Sequence, residues 1–194
     1  MPLSRRAFLA LPSCLLLPDV PLDDIPLSWQ AENGNWLMQG GSIVQTDTAA
    51  PVTGYLATVD AASDFALTVT ITTPPAGYFI TGVCFRVQDL THFVEVELNN
   101  SPAYNGWAGF GCWSYSNSGV FQPIVTHYLT PANDTTYTLR LSVLDTLIVA
   151  ECAGVVMAGT SALYRTSTRV GLFEARDTLR YEPPRYTNFR WAEM

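Results

Sequence analysis

The sequence predicts an all-β fold, a two-sheet antiparallel β-sandwich, on three observations. Residues Tyr78–Leu98 alternate apolar and polar side chains on both sides of a polar turn, the signature of an antiparallel hairpin with one buried face. Short strand-like runs recur along the chain at a spacing of about 8–12 residues, separated by Gly, Pro, Asn, Ser or Thr, as sandwiches require. Hydrophobic residues make up 48% of the chain and charged ones only 14%, and no stretch keeps the 3.6-residue repeat of an amphipathic helix. A chain of 194 residues suits one domain with a sizeable core.

The elements follow in order. Residues 1–26 are expected to be an export signal or N-terminal arm ending in a proline-rich linker, Pro18–Pro26; residues 27–194 are expected to form the sandwich. Leu27–Glu32 reads as a strand, and Asn33-Gly34 is the strongest short hairpin signal, leading into Asn35–Met38. Gly40-Gly41 turns the chain into Ser42–Gln45. Tyr55–Thr58 is a short strand. In Asp64–Thr72, Phe65, Leu67, Val69 and Ile71 alternate with Ala66, Thr68 and Thr70. Pro74-Pro75-Ala76-Gly77 then turns into the central hairpin. Its predicted buried side is Val83, Phe85, Val87, Val94, Val96 and Leu98, which leaves Arg86, Glu95 and Glu97 side by side on an open face. Beyond it, Trp107–Ser114, Val120–Tyr128, Tyr137–Val143, Leu147–Glu151, Val155–Met157, Thr168–Phe173 and Arg185–Trp191 read as strands, divided by turns such as Asp145-Thr146 and Ala153-Gly154.

Charge and cysteine usage exclude some functions. The net charge of −7 argues against nucleic-acid binding, which needs clustered cations. All ten basic residues are arginine. Four cysteines, Cys14, Cys84, Cys112 and Cys152, lack the C-x-x-C spacing of a zinc set. A Cys84–Cys112 disulfide in an oxidising compartment and buried free thiols are both compatible with this usage. The aspartates are scattered and form no D-x-D-x-D-G calcium loop.

Ser4-Arg5-Arg6-Ala7-Phe8-Leu9 resembles the twin-arginine export signal, and an apolar run follows it to Leu17, too short to span a bilayer, which takes about 20 residues. Leu11-Pro12-Ser13-Cys14 faintly resembles a lipoprotein box, which makes Cys14 a candidate lipidation site and this segment a candidate membrane attachment. An ordered arm that packs on the sandwich or on a partner is the alternative. Export would place the protein outside the cytoplasm, at the cell surface, in the periplasm or secreted.

The order of features in the rest of the chain resembles the concanavalin A-like lectin/glucanase jelly roll, in its laminin-G-like branch. The matching pieces are W-x-x-x-N-G-N-W (Trp29–Trp36), Gly82–Gln88 with its continuation Asp89–Val96, Tyr137–Val143, Leu147–Gly154, Arg169-Val170-Gly171-Leu172 and Asn188–Trp191. The resemblance spans residues 27–193 and implies the fold; its motifs are short, and a fold does not fix a function. Hydrolases of this group carry E-x-D-x-E on one strand, whose carboxylates share a face because residues two apart point the same way. Here Glu95-Val96-Glu97-Leu98-Asn99 stands nearest, with Asn99 in place of the last acid. Glu95 and Glu97 are thus weak catalytic candidates. The weightier expectation is two strand-face charges paired with Arg86 across the hairpin and with Arg140. Some members of the group hold calcium through loop carboxylates; the residues themselves call for no cofactor.

Sugar binding requires aromatic faces that stack on pyranose rings and directional polar groups beside them. Asn99–Tyr115 concentrates both, so the candidate ligand-binding residues are Arg86, Glu95, Glu97, Asn99, Tyr104, Trp107 and Arg140. The leading expectation is an exported, non-catalytic module that binds glycan or cell-surface polysaccharide. The alternatives are an accessory subunit held to a protein partner at the cell surface by its N-terminal arm, and, third, a glycoside hydrolase.

Overall fold

A computed structural model describes residues 28–46, 52–59, 64–101, 107–116, 120–175 and 182–194. These form fourteen strands and no helix: β1 Trp29–Asn33, β2 Trp36–Gln39, β3 Ser42–Gln45, β4 Val52–Thr58, β5 Phe65–Thr72, β6 Ile80–Asp89, β7 His92–Asn99, β8 Gly109–Ser116, β9 Val120–His127, β10 Thr136–Leu144, β11 Leu147–Cys152, β12 Val155–Thr160, β13 Arg169–Ala175 and β14 Arg185–Glu193. The first sheet runs β1-β4-β13-β6-β7-β8-β9 and the second β12-β11-β10-β5-β14-β3-β2. Every paired neighbour is antiparallel. The predicted β-sandwich is what the chain forms.

The main core lies between the sheets. Val83, Phe85, Val94, Val96, Leu98, Phe110, Cys112, Val170 and Leu172 come from the first sheet, and Phe65, Leu67, Val69, Ile71, Leu139, Leu141, Val143 and Trp191 from the second. Each set is one parity of its strands, so alternation alone delivers it to the interface. Full burial of a Val, Leu, Ile or Phe side chain contributes about 1.5–3 kcal/mol, and this layer holds the two sheets together.

Two expectations about local structure are corrected. Asn33-Gly34 does not close a hairpin: β1 pairs with β4 in the first sheet, whereas β2 pairs with β3 in the second. The dipeptide instead carries the chain from one sheet to the other. Gly34 is left-handed at φ 81°, its N–H donates to Asn33 Oδ1 at 3.0 Å, and Asn33 Nδ2 donates to the Val52 carbonyl at 2.9 Å. Those bonds fix a corner, and a corner has the same turn chemistry as a hairpin.

The second correction concerns the central hairpin. Its polar side is not open. Ile80, Cys84, Val87, Phe93, Phe173, Leu56 and Ala175 form a second buried apolar cluster on the outer face of the first sheet, so this sheet carries buried side chains on both faces. Arg86 does not lie on the open side that the alternation predicts for it. It adopts φ 53°, the β6–β7 register slips between Phe85 and Asp89, and this bulge sends Val87 to the outer cluster in its place. Arg86 is only 1% exposed; its Nη1 donates to the Ser161 carbonyl at 2.8 Å and its Nη2 to the Asp145 carbonyl. It fastens the β10–β11 turn and the loop after β12 to the first sheet.

Candidate functional site

The residues singled out in the sequence divide among three places. Arg86 is the structural clamp just described. Glu95, Glu97, Asn99 and Trp107 gather on the outer face of the first sheet, and Arg140 stands on the outer face of the second. Tyr104 and Cys14 lie outside the described residues.

Strand β7 positions the acids. Its odd residues face outward, and the register aligns Cys84, Glu95 and Trp113 in one cross-strand row and Gly82, Glu97 and Gly111 in the next. Asn99 follows, between Ile80 and Gly109. Trp107 packs edge-to-face on Trp113, ring centroids 5.1 Å apart. A Cβ on Gly111 would fall 2.5 Å from Trp113 Nε1 and 2.8 Å from the Trp107 ring. The glycine thus leaves the space that both indoles occupy, directly across from Glu97.

This row is shut away. Glu95 is 0% and Glu97 3% exposed, and among the described residues neither the Glu95 oxygens nor the two indole N–H groups have a hydrogen-bond partner. Among the described residues Glu97 Oε1 accepts only a long 3.5 Å contact from Asn99 Nδ2; Asn99 Oδ1 in turn takes the Ser101 N–H at 2.7 Å. Burial drives the Glu97 carboxyl up to about 8. Glu95 rises well above the usual carboxylate range through its own burial and the neighbouring Glu97. Desolvation without a paired cation favours the neutral form of both acids. The expected ion pairing with Arg86 and Arg140 does not occur. Arg86 lies toward the opposite side of the sheet, and Arg140 pairs with Glu151 at 3.7 Å on the other sheet.

Of the two states open to the cysteines, a Cys84–Cys112 disulfide or buried free thiols, the structure has the second. Cys84, Cys112 and Cys152 are free and buried. Cys84 belongs to the outer cluster of the first sheet and Cys112 to the inter-sheet core, with β7 between their strands. Among the described residues, no group of three or more His, Cys, Asp or Glu side chains comes together to hold a metal ion.

Arg140, by contrast, borders an open hollow of about 350 Å³, lined by Thr136, Tyr137, Thr138, Arg140, Glu151, Ala153 and Gly154. The hollow belongs to a wider polar face. On β5, Leu67, Val69 and Ile71 enter the core, which turns Thr68, Thr70 and Thr72 outward. Their partners on β10 are Arg140, Thr138 and Thr136, and on β14 Arg190, Thr187 and Arg185. Thr72 and Thr136 share a hydroxyl hydrogen bond at 3.1 Å. Sequence reasoning pointed to Arg140 as a candidate residue but grouped it with Glu95 and Glu97; it missed this face, where Arg140 pairs with Glu151 instead. The signal was present in T-V-T-I-T, where period two places every threonine on one side.

No protein-family model matches the chain, and no curated protein matches it. Solved structures do. The carbohydrate-binding module CBM66 from Bacillus subtilis superposes with a TM-score of 0.66 at 12% identity, covering 87% of this chain and 98% of that one. The CBM2 module of the evolved Dit protein of Lactobacillus casei BL23 phage J-1 gives 0.62 at 13% identity, covering 88% and 91%. The metal-free carbohydrate recognition domain of Emp46p gives 0.58 at 11% identity, covering 84% and 87%. At these identities the likeness is one of fold.

Proposed function

We propose that this chain is a non-catalytic, glycan-binding β-sandwich module whose ligand lies on the outer face of the second sheet. The observation that carries this reading is the open hollow around Arg140. It presents the threonine hydroxyls of Thr136 and Thr138, the Arg140 guanidinium and the Glu151 carboxylate together, a donor and acceptor set that suits vicinal sugar hydroxyls. An extended polymer suits a flat sheet face because one chain can cross several strands. Carbohydrate-binding domains among the solved structures of this shape add support. Affinity electrophoresis through gels containing a broad panel of polysaccharides tests the proposal. Retarded migration is expected on at least one, relieved by Thr138→Trp, which fills the hollow; free migration on all of them overturns it.

One observation favours a second reading, hydrolysis by the acid pair. A carboxyl that keeps its proton to about pH 8 has the state a general acid needs. Against this, neither carboxyl reaches solvent, and Asn99 occupies the third acid position. Binding is the better-supported function. Export is proposed on the twin-arginine-like start. The intact mass of the native protein checks it, since an unprocessed chain bearing residues 1–26 would count against it.

A further inference from the structure

The proposed glycan face has a charge pattern that selects among glycans. Three of the ten arginines, Arg140, Arg185 and Arg190, stand on it; among the described residues the one carboxylate in their cross-strand rows is that of Glu151. All three arginines are exposed. Arg140 and Arg190 flank Thr68 in one cross-strand row, and Arg185 flanks Thr72 four residues along the same strand. With strands about 4.8 Å apart and a rise of about 3.3 Å per residue, the three backbone positions mark a triangle with sides of roughly 10 and 13 Å. Within and beside it lie the hydroxyls of Thr68, Thr70, Thr72, Thr136, Thr138 and Thr187.

The arginines are under-used by the protein itself. Among the described residues, neither Arg185 nor Arg190 has a carboxylate within ion-pairing distance. Arg140 has only the 3.7 Å contact to Glu151, with 48% of its own side chain exposed, a pair worth little in water. A chain of net charge −7 repels polyanions at long range, so a cluster of cations on a sheet face with so little acid beside it stands out against the rest of the surface. Guanidinium forks match carboxylates in a planar, two-bond geometry that neutral sugars do not exploit.

We propose that the outer face of the second sheet binds a carboxylate-bearing polysaccharide, a polyuronate, laid across the threonine hydroxyls with its carboxylates on Arg140, Arg185 and Arg190. This rests on the reading of that face as the glycan platform and names the class of glycan it takes. The hydroxyls hold the sugar backbone, and the spaced cations require charge at intervals along it. A neutral chain meets the first requirement and not the second.

Calorimetric titration of the full chain with de-esterified oligogalacturonate, its methyl ester and cellohexaose tests the inference. The de-esterified chain is expected to bind at least about ten-fold more tightly than the methyl ester. That preference should shrink as sodium chloride rises from about 20 to about 500 mM, which takes the screening length from about 20 Å to under about 5 Å. It should disappear in Arg185→Gln/Arg190→Gln, whose melting temperature is expected to stay within a degree or two of the parent's because both side chains are exposed. Equal affinity for acid and ester, or a double variant that keeps the preference, overturns it, as does equal binding of dextran sulfate, which needs no carboxylate. If cellohexaose binds as well as the acid and Thr138→Trp abolishes both, the charge inference falls and the glycan platform stands. If no glycan binds, both fall.

Discussion

Glu95 and Trp113 stand directly opposite each other on β7 and β8, both buried, and among the described residues neither the carboxyl oxygens nor the indole N–H has a hydrogen-bond partner. A buried ionised carboxylate in such surroundings is costly; a protonated one is tolerable. The neighbouring Glu97 adds the repulsion of a like charge.

Stability should therefore fall as pH rises, opposite to the usual carboxylate trend. The folded chain keeps a proton on Glu97 up to about pH 8, whereas the unfolded chain releases it near 4.5. Between those values the unfolded state binds fewer protons, so the slope of unfolding free energy against pH is negative. The contribution is complete below about pH 4.5 and is lost progressively toward pH 8, at up to about 1.4 kcal/mol per pH unit for one group. Glu95, raised in the same direction, adds to it. Thermal melts across that range should show the decline. A melting temperature that rises steadily toward pH 8 would refute the buried acid pair.

Glu97→Gln removes the ionisation and keeps the shape. It should raise stability at pH 8 by on the order of 1–3 kcal/mol and change it little at pH 4.5, flattening the pH profile. Denaturant unfolding at the two pH values measures this. The same variant examines the hydrolytic reading: an activity that survived the substitution unchanged could not depend on Glu97 as its acid.

How far the sequence revealed this molecule can be read from β6 and β7. Val83, Phe85, Val94, Val96 and Leu98 are in the core where alternation placed them, because period two decides which residues share a face. It does not decide whether the second face meets water. Glu95 and Glu97 look solvated in a sequence, and only the neighbours that the register brings beside them, Cys84 and Trp113, show otherwise. The bulge at Arg86 was illegible because arginine carries no signal for a left-handed backbone, and it exchanged the places of Arg86 and Val87. Asn33-Gly34 was legible as a turn, but turn chemistry is local and does not name the strand that comes next. On the outer face of the second sheet, Arg140 was named as a residue but expected beside Glu95 and Glu97, and the threonine rows need the pairing of β5 with β10 and β14 to become a surface.

The two arginines of the candidate set should separate sharply on substitution. Arg86 is buried and its guanidinium donates to the carbonyls of Ser161 and Asp145, so Arg86→Gln leaves buried carbonyls unsatisfied and a void beside them. A loss of roughly 2–4 kcal/mol is expected. Arg140→Gln removes only an exposed pair and should cost at most about 1 kcal/mol while weakening glycan retention. Equilibrium unfolding of both variants settles the contrast; equal losses would contradict the assigned roles.

Gly82 and Gly40 make a second contrasting pair. A Cβ on Gly82 would sit 1.9 Å from the Val96 carbonyl oxygen, which is backbone and cannot move aside, whereas one on Gly40 meets nothing within 4 Å. Gly82→Ala should prevent the β6–β7 pairing, costing roughly 3–5 kcal/mol or abolishing folding. Gly40→Ala bears only the strain of its φ of 59°, about 1 kcal/mol. Far-ultraviolet circular dichroism and thermal melts would distinguish the two.

The cysteines give the last prediction. Cys84, Cys112 and Cys152 are free and buried. Burial pushes the Cys152 thiol up to about 12 and raises Cys84 and Cys112 in the same direction. The reactive species is the thiolate, and at pH 8 these sites hold almost none. In a Cys14→Ser variant, an aromatic disulfide reagent should therefore titrate no thiol in the native protein and three after denaturation, at a rate set by unfolding. Fewer than three thiols after denaturation without reductant would show that a disulfide forms after all, and rapid native labelling would show that one of these faces opens to solvent.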